Sequence, residues 1–277
     1  MNRMLDVGGS SVALAELGSG TPLLYLHGFA DIHASSMEWL PFHRALAERL
    51  RVLAPAHPGC ATAAENDDID TMDDLVFHYL QVIDSLGLDK FHLAGASIGG
   101  WIAAELAIRM PERIRSLSLI GACGLYVEHA PISDIFMMVQ PADGGKYRDY
   151  RHTLFRSADD PQAVEMFPDG MMTVERELLR YRMFRFASRV GFTPPYLYDR
   201  KLRGRLARFG RPAVVIAGEH DHLVPATHAK AYAESLRDAA LRIIPAAGNS
   251  LVIEKPKEVA ELVLACVRRA EPVVAVA

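Results

Sequence analysis

The sequence predicts an α/β fold in which a mostly parallel sheet is flanked by helices. Short apolar strands alternate with helical patterns from residue 21 to residue 120, and the alternation returns between residues 212 and 269. Such alternation is typical of parallel sheets, because two parallel strands need a crossover connection that is usually a helix. The third observation is a tight turn, Gly95-Ala96-Ser97-Ile98-Gly99, that joins one strand directly to a helix.

Each element is predicted from its periodicity and from the residues that end it. Apolar or alternating runs predict strands at 4–7, 11–17, 21–26, 51–54, 91–94, 114–120, 212–217 and 241–244. A helical period predicts helices at 39–50, 72–86, 101–110, 227–236 and 257–269. Gly8-Gly9 indicates a hairpin between the first two strands, Gly87 ends one helix and Pro111 ends the next.

The alternation stops between residues 124 and 200. This stretch is rich in Met, Phe, Tyr and Arg, has a helical pattern at 173–189, and contains no convincing strand. We therefore expect two parts: a core made of 1–123 and 201–277, and a helical lid at 124–200. Such a lid would cover the carboxyl ends of the strands, where open α/β sheets bind ligands.

The composition is that of a globular protein without a basic surface. Half of the 277 residues are hydrophobic and the net charge is −4, which does not favour nucleic acid or an anionic membrane as partner. The start shows no secretory signal, and no apolar run reaches the ~20 residues that span a bilayer. Cys60, Cys123 and Cys266 lie far apart, which favours reduced thiols over a metal site or disulfides. We expect a cytoplasmic protein that acts on a small-molecule substrate and needs no metal and no cofactor. The sequence is compatible with a homodimer.

The turn at residues 95–99 is the candidate catalytic element. In the context strand, turn, helix, the pattern Gly-x-Ser-x-Gly lifts a serine hydroxyl above the edge of the sheet. Only very small residues fit two positions before and after Ser97, which explains Gly95 and Gly99. The backbone N–H of Ile98, at the start of the helix, would point to where an oxyanion forms.

These motifs resemble those of the α/β-hydrolase superfamily, in its branch of lidded esterases, C–C-bond hydrolases and perhydrolase-like enzymes. The resemblance covers nearly the whole chain. It rests on His27-Gly28-Phe29, Gly95-Ala96-Ser97-Ile98-Gly99, Gly218-Glu219-His220-Asp221 followed by Val224-Pro225, and Glu254-Lys255-Pro256. It implies that Ser97 is the nucleophile, that Asp221 orients the base, and that the N–H groups of Phe29 and Ile98 form the oxyanion hole.

The chain departs from the family pattern at the position of the base. The pattern places a histidine about five residues before Glu254, and this chain has Asn249 there. An amide cannot take a proton near neutral pH, although its NH2 can donate to Asp221 while its carbonyl accepts from Ser97. Three explanations stay open: an engineered change, a natural member with a different reaction, or another histidine as base. His222 and His33 are the alternatives considered for that base.

The sequence also suggests residues that contact the substrate. His33 follows the oxyanion strand, Met137 and Met138 suggest an adaptable apolar surface in the lid, and Arg180 belongs to a run of lid arginines that either bind a substrate carboxylate or face solvent. The predicted activity is acyl transfer from a small ester, thioester, lactone or ketone-type C–C substrate, strongly reduced by Asn249. The alternatives are a catalytically silent protein that binds an apolar ligand, and a lyase or cyclase that uses the same site.

Overall fold

A computed structural model describes residues 2–138, 147–170, 172–191 and 196–271. The strands of the described residues are β1 (Asn2–Val7), β2 (Ser10–Leu17), β3 (Thr21–Leu26), β4 (Leu50–Pro55), β5 (Phe91–Ala96), β6 (Ile114–Ile120), β7 (Gly124–Leu125), β8 (Tyr198–Asp199), β9 (Ala213–Gly218) and β10 (Ala239–Ile244). All except β7 and β8 form one central eight-stranded sheet, in the order β1-β2-β4-β3-β5-β6-β9-β10. β2 pairs antiparallel with β1 and β4, and the other pairs of the sheet are parallel, which confirms the predicted fold class.

Helices cover both faces of the sheet. They are α1 (Pro41–Ala47), α2 (Met72–Ser85), α3 (Ile98–Arg109), α4 (Arg148–Leu154), α5 (Pro161–Met166), α6 (Val174–Gly191), α7 (Leu202–Arg205), α8 (Ala226–Ser235), α9 (Leu251–Glu254) and α10 (Pro256–Ala270), with 3-10 turns at Ile135–Met138 and Leu206–Arg208. α1 and α10 pack on one face, and α2, α3 and α8 on the other. β5 and β9 are buried along their whole length, as expected for parallel strands covered on both sides.

Most differences from the predicted elements lie at their ends. α1 begins at Pro41 rather than at residue 39, because proline fits the first helical position, and it ends before Leu50, which belongs to β4. The hairpin is confirmed: Gly8 and Gly9 have φ angles of 59° and 85°, which a tight turn of this kind requires. No helix in the described ranges is long and apolar enough to cross a membrane.

Residues 124–200 contribute no strand to the large sheet within their described part. β7 and β8 pair with each other as a separate two-residue ladder, too short to leave a pattern in the sequence. α4, α5 and α6 lie in this region, and α6 matches the helical pattern seen at 173–189. The assignment of this region as a lid stays a prediction.

Candidate active site

Ser97 lies on the turn between β5 and α3. Its backbone has φ 51° and ψ −116°, a conformation that residues with a side chain rarely adopt. The turn brings backbone so close that a Cβ on Gly95 would lie 2.2 Å from the carbonyl oxygen of Gly99. The sharp turn therefore depends on glycine at both flanking positions. Ser97 itself is only 3% exposed.

Asp221 and Asn249 form a buried pair on the loops after β9 and β10. The Asn249 Nδ2 donates to Asp221 Oδ2 at 2.8 Å. Asp221 Oδ1 accepts the N–H groups of Leu223 at 3.0 Å and Val224 at 2.7 Å, so both carboxylate oxygens are occupied. Burial raises the pKa of Asp221 to about 7, although the bonds from Val224, Asn249 and Leu223 oppose that shift.

The amide of Asn249 is held from two sides. Its Nδ2 also donates to the carbonyl oxygen of Gly121 at 3.1 Å, so both N–H bonds are used. The loop before it is fixed by Glu254, whose carboxylate accepts the N–H of Gly248 at 2.8 Å. This orientation leaves Oδ1 as the only remaining hydrogen-bonding atom of the side chain, and an amide oxygen only accepts. Asn249 can therefore orient a hydroxyl but cannot remove its proton.

The Ser97 hydroxyl contacts the Cys123 thiol instead of Asn249. The Oγ–Sγ distance is 3.7 Å, and no hydrogen bond joins Ser97 to Asn249 in the described ranges. Burial raises the pKa of the Cys123 thiol to about 12, so it is neutral and is no base at neutral pH. Of the two bonds expected for Asn249, the one to Asp221 is present and the one from Ser97 is not.

Two backbone N–H groups of the loop after β3 and of the turn at Ser97 have no hydrogen-bond partner among the described residues. Neither the Phe29 nor the Ile98 N–H donates a hydrogen bond to a described residue, although both residues are buried. Buried N–H groups without a partner are rare, because leaving them unsatisfied costs free energy. Gly28 makes the close approach possible, since a Cβ there would lie 3.1 Å from the Cβ of Ser97.

The alternative histidines are engaged elsewhere. His33 is buried, its Nε2 lies 2.9 Å from the carbonyl oxygen of Ala54, and burial lowers its pKa to about 4. The His222 ring stacks on the ring of His152 in α4, with centroids 4.2 Å apart. Neither ring forms a hydrogen bond with Ser97.

The arginines of α6 bind protein groups. Arg180 forms an ion pair with Glu177 at 2.7 Å and lies over the ring of Tyr147. The other arginines of α6 also have partners in the protein: Arg176, Arg182, Arg185 and Arg189. Met137 and Met138 end a 3-10 turn, and their side chains lie outside the description.

The sequence did not predict the buried groups that hydrogen-bond to the residues of the site and to their loops. The carbonyl of Gly121 and the carboxylate of Asp31 belong to no motif described above, and His27 belongs to one in which its ring had no predicted role. Gly121 has φ 52° directly after β6, and a glycine at the end of a predicted strand was the available signal.

Comparisons with known proteins agree with the fold. Residues 21–256 match a family model described as the alpha/beta hydrolase fold. The chain is 32% identical over 280 residues to the dihydrolipoyllysine-residue acetyltransferase component of the acetoin cleaving system of Pseudomonas putida, covering 95% of this chain and 68% of that protein.

A second relative is monoacylglycerol lipase abhd6-B of Xenopus laevis, 27% identical over 271 residues that cover 88% of this chain and 74% of that protein. Among solved structures, a membrane phospholipase A superposes with a TM-score of 0.79 at 22% identity, covering 98% of this chain and 86% of the other. The family match spans the strands and loops that carry Ser97, Asp221 and Asn249. The chain belongs to the α/β-hydrolase fold family.

Proposed function

We propose that the chain is a serine hydrolase of the acyl-transfer type, in which Ser97 attacks the carbonyl carbon of a small ester or thioester. The observation that carries the proposal is the buried turn at Ser97, together with the N–H groups of Phe29 and Ile98, which have no partner among the described residues. Two such donors stabilise the negative charge that develops on the carbonyl oxygen, usually the largest single contribution to this kind of catalysis. Relatives named as a lipase and as an acetyltransferase support acyl transfer.

Asn249 occupies the place of the general base and limits the turnover of this chain. A serine hydroxyl needs a neighbour that removes its proton and later returns it to the leaving group. Asn249 uses both N–H bonds on Asp221 and Gly121 and offers only a carbonyl oxygen. Loss of the base from a serine triad lowers kcat by roughly 10⁴–10⁶-fold, and the oxyanion hole and binding supply what remains.

The same argument ranks the substrates. A leaving group of low pKa departs without a proton from the enzyme, so the missing acid matters least for thioesters and activated esters. We therefore expect the residual activity to be highest toward thiol and nitrophenol leaving groups and lowest toward alkyl esters. Residues 124–200 would cover the acyl group as a lid, with the aromatic ring of Phe184 5.7 Å from that of Phe29.

The proposal is tested by introducing a histidine at position 249, where it can act as the general base. Asn249→His is compared with the unaltered chain and with Asn249→Ala, using p-nitrophenyl acetate. We expect the histidine to raise kcat by about 10³-fold or more, because Asp221 is already placed to orient a ring at this position. Asn249→Ala should not raise kcat. Adding Ser97→Ala to the Asn249→His protein should abolish the increase in kcat.

The opposite result favours a different role for the fold. If Asn249→His is as inert as the unaltered chain and a fluorophosphonate labels neither protein at Ser97, the hydrolase proposal is wrong. Binding of an apolar ligand without catalysis then becomes the better account. If the unaltered chain is already fast, another group is the base, and His222→Ala and His33→Ala are the next variants to measure.

A further inference from the structure

The loop that carries Phe29 is organised around a buried carboxylate. Asp31 is fully buried, and its Oδ2 accepts the N–H of Gly28 at 3.1 Å and the hydroxyl of Tyr25 at 2.5 Å. Its Oδ1 accepts the N–H of Ile32 at 2.7 Å. Burial raises the pKa of Asp31 to about 7 against the effect of these three bonds. Burying a carboxylate costs free energy unless such donors satisfy it. The stability of the loop alone therefore does not explain why an aspartate lies here.

The His27 ring contacts the carbonyl group of Gly28, whereas Asp31 accepts its N–H. The N–H of His57 donates to His27 Nε2 at 3.1 Å, and since a backbone N–H only donates, Nε2 must accept. The proton of the neutral ring then sits on Nδ1, which lies 3.3 Å from the carbonyl oxygen of Gly28. Burial keeps the pKa of His27 well below its ordinary value, so the ring stays neutral and the assignment holds at neutral pH.

These contacts set the direction of one N–H group. The carbonyl of Gly28 and the N–H of Phe29 belong to the same planar trans peptide and point in opposite directions. His27 holds that carbonyl, and Asp31 holds the N–H of the preceding peptide, so Gly28 is fixed at both ends. The Phe29 N–H therefore points away from the His27 ring, and it has no hydrogen-bond partner among the described residues.

We propose that Asp31 is a positioning residue for catalysis, which together with His27 holds the Phe29 N–H in the oxyanion hole. This inference rests on the proposed hydrolase function. Asp31 touches neither Ser97 nor the carbonyl to be attacked, and it acts through Gly28. Its two oxygens accept from backbone on both sides, at Gly28 and at Ile32, which an asparagine cannot do because one of its two terminal atoms is a donor.

The test is made in the Asn249→His protein, where hydrolysis is expected to be measurable. Asp31→Asn is compared with Glu105→Gln, a matched change of another buried carboxylate that is 2% exposed and bonded to Arg109 and Trp101. We expect Asp31→Asn to lower kcat for p-nitrophenyl acetate by about 10- to 100-fold with KM changed less than about 3-fold. The oxyanion contact forms mainly in the transition state, so its loss appears in kcat. Glu105→Gln should leave both constants within about 3-fold.

A second readout separates positioning from general damage. Butylboronic acid adds to the serine and places a negatively charged oxygen in the hole, so its inhibition constant should rise by about the same factor as kcat falls in Asp31→Asn. Tyr25→Phe removes one donor to Asp31 and keeps the bond from Gly28. It should lower kcat by about 3- to 10-fold at unchanged KM, and an unchanged kcat would overturn the proposal if Asp31→Asn does not fold.

The outcomes are distinguishable. If Asn249→His hydrolyses the ester and Asp31→Asn does so equally well, the positioning role is wrong while the hydrolase proposal stands. If Asp31→Asn and Glu105→Gln lower kcat equally, or if Asp31→Asn raises only KM, the effect of Asp31 is merely structural. Either result would also overturn the positioning role. If Asn249→His is inert, the hydrolase proposal fails and the positioning role fails with it.

Discussion

Gly99 shows at the scale of one residue how the turn at Ser97 constrains the sequence. A Cβ at this position would lie 2.2 Å from the carbonyl oxygen of Leu26 and 2.5 Å from that of His27. Both are backbone atoms of a buried strand and its loop, so they cannot move aside as a flexible side chain would. The glycine is therefore needed for packing of α3 against β3, independently of any catalytic role.

We predict that Gly99→Ala lowers the free energy of unfolding by at least about 2 kcal/mol, because it overpacks the backbone. Gly204→Ala is the matched control, since a Cβ at Gly204 meets nothing within 4 Å and the residue lies in α7. That change should be neutral or stabilise by up to about 1 kcal/mol. Urea denaturation of both variants measures the difference, and equal stabilities would contradict the packing argument.

At the scale of elements, α6 is pinned to the loop after β4. Arg182 donates to the carbonyl of Ala61, Arg185 pairs with Glu65 at 2.7 Å, and Arg189 pairs with Asp67 at 2.9 Å. The arginine run predicted as either a substrate site or a solvated face thus has a third use, which is to attach the central helix of the 124–200 region to the core. The Arg185 and Arg189 pairs are partly exposed, so each contributes little to overall stability.

We predict that Arg185→Gln combined with Arg189→Gln lowers the free energy of unfolding by less than about 1 kcal/mol but speeds amide hydrogen exchange in α6 and residues 61–67. The reason is that the pairs restrain a local opening rather than global unfolding. Arg148→Gln is the control, because Arg148 pairs with Asp159 inside the same region. It should leave exchange at residues 61–67 unchanged, and the same acceleration in both proteins would refute the pinning.

At the scale of the whole molecule, buried histidines set the response to acid. Burial lowers the pKa of seven of them below the ordinary value: His27, His33, His43, His57, His78, His92 and His228. Between pH 6.5 and about 4 the unfolded chain therefore binds protons that the folded chain does not, and stability falls as the pH falls. Four carboxyls whose pKa burial raises act in the opposite direction: Asp31, Asp221, Glu105 and Glu254.

Because the histidines outnumber these carboxyls, we predict that the free energy of unfolding decreases from pH 7 to pH 5. Each uncompensated proton contributes up to about 1.4 kcal/mol per pH unit. His78→Phe removes one such group, whose Nε2 is buried without a partner in the described ranges, and should make the dependence shallower by up to that amount. Urea titrations at the two pH values check this, and a stability that rises toward pH 5 would contradict it.

The alternation of strands and helices, the turn at Ser97 and the positions of Asp221 and Asn249 could all be read from the sequence. Each depends on local periodicity or on residues within a short motif, and these survive without knowledge of the fold. The bond between Asp221 and Asn249 was also predictable, since two loops at the carboxyl edge of neighbouring strands must lie together.

Only the tertiary structure decided what surrounds those residues. The Cys123 thiol beside Ser97, the Gly121 carbonyl that takes the second N–H of Asn249, and the hold of Asp31 and His27 on Gly28 all join atoms whose closeness no periodicity records. The same is true of the arginines of α6, whose partners lie about 120 residues earlier in the chain. A sequence pattern reports which face of an element is buried, whereas the choice of hydrogen-bond partner depends on distances of a few tenths of an ångström that only the packed chain sets.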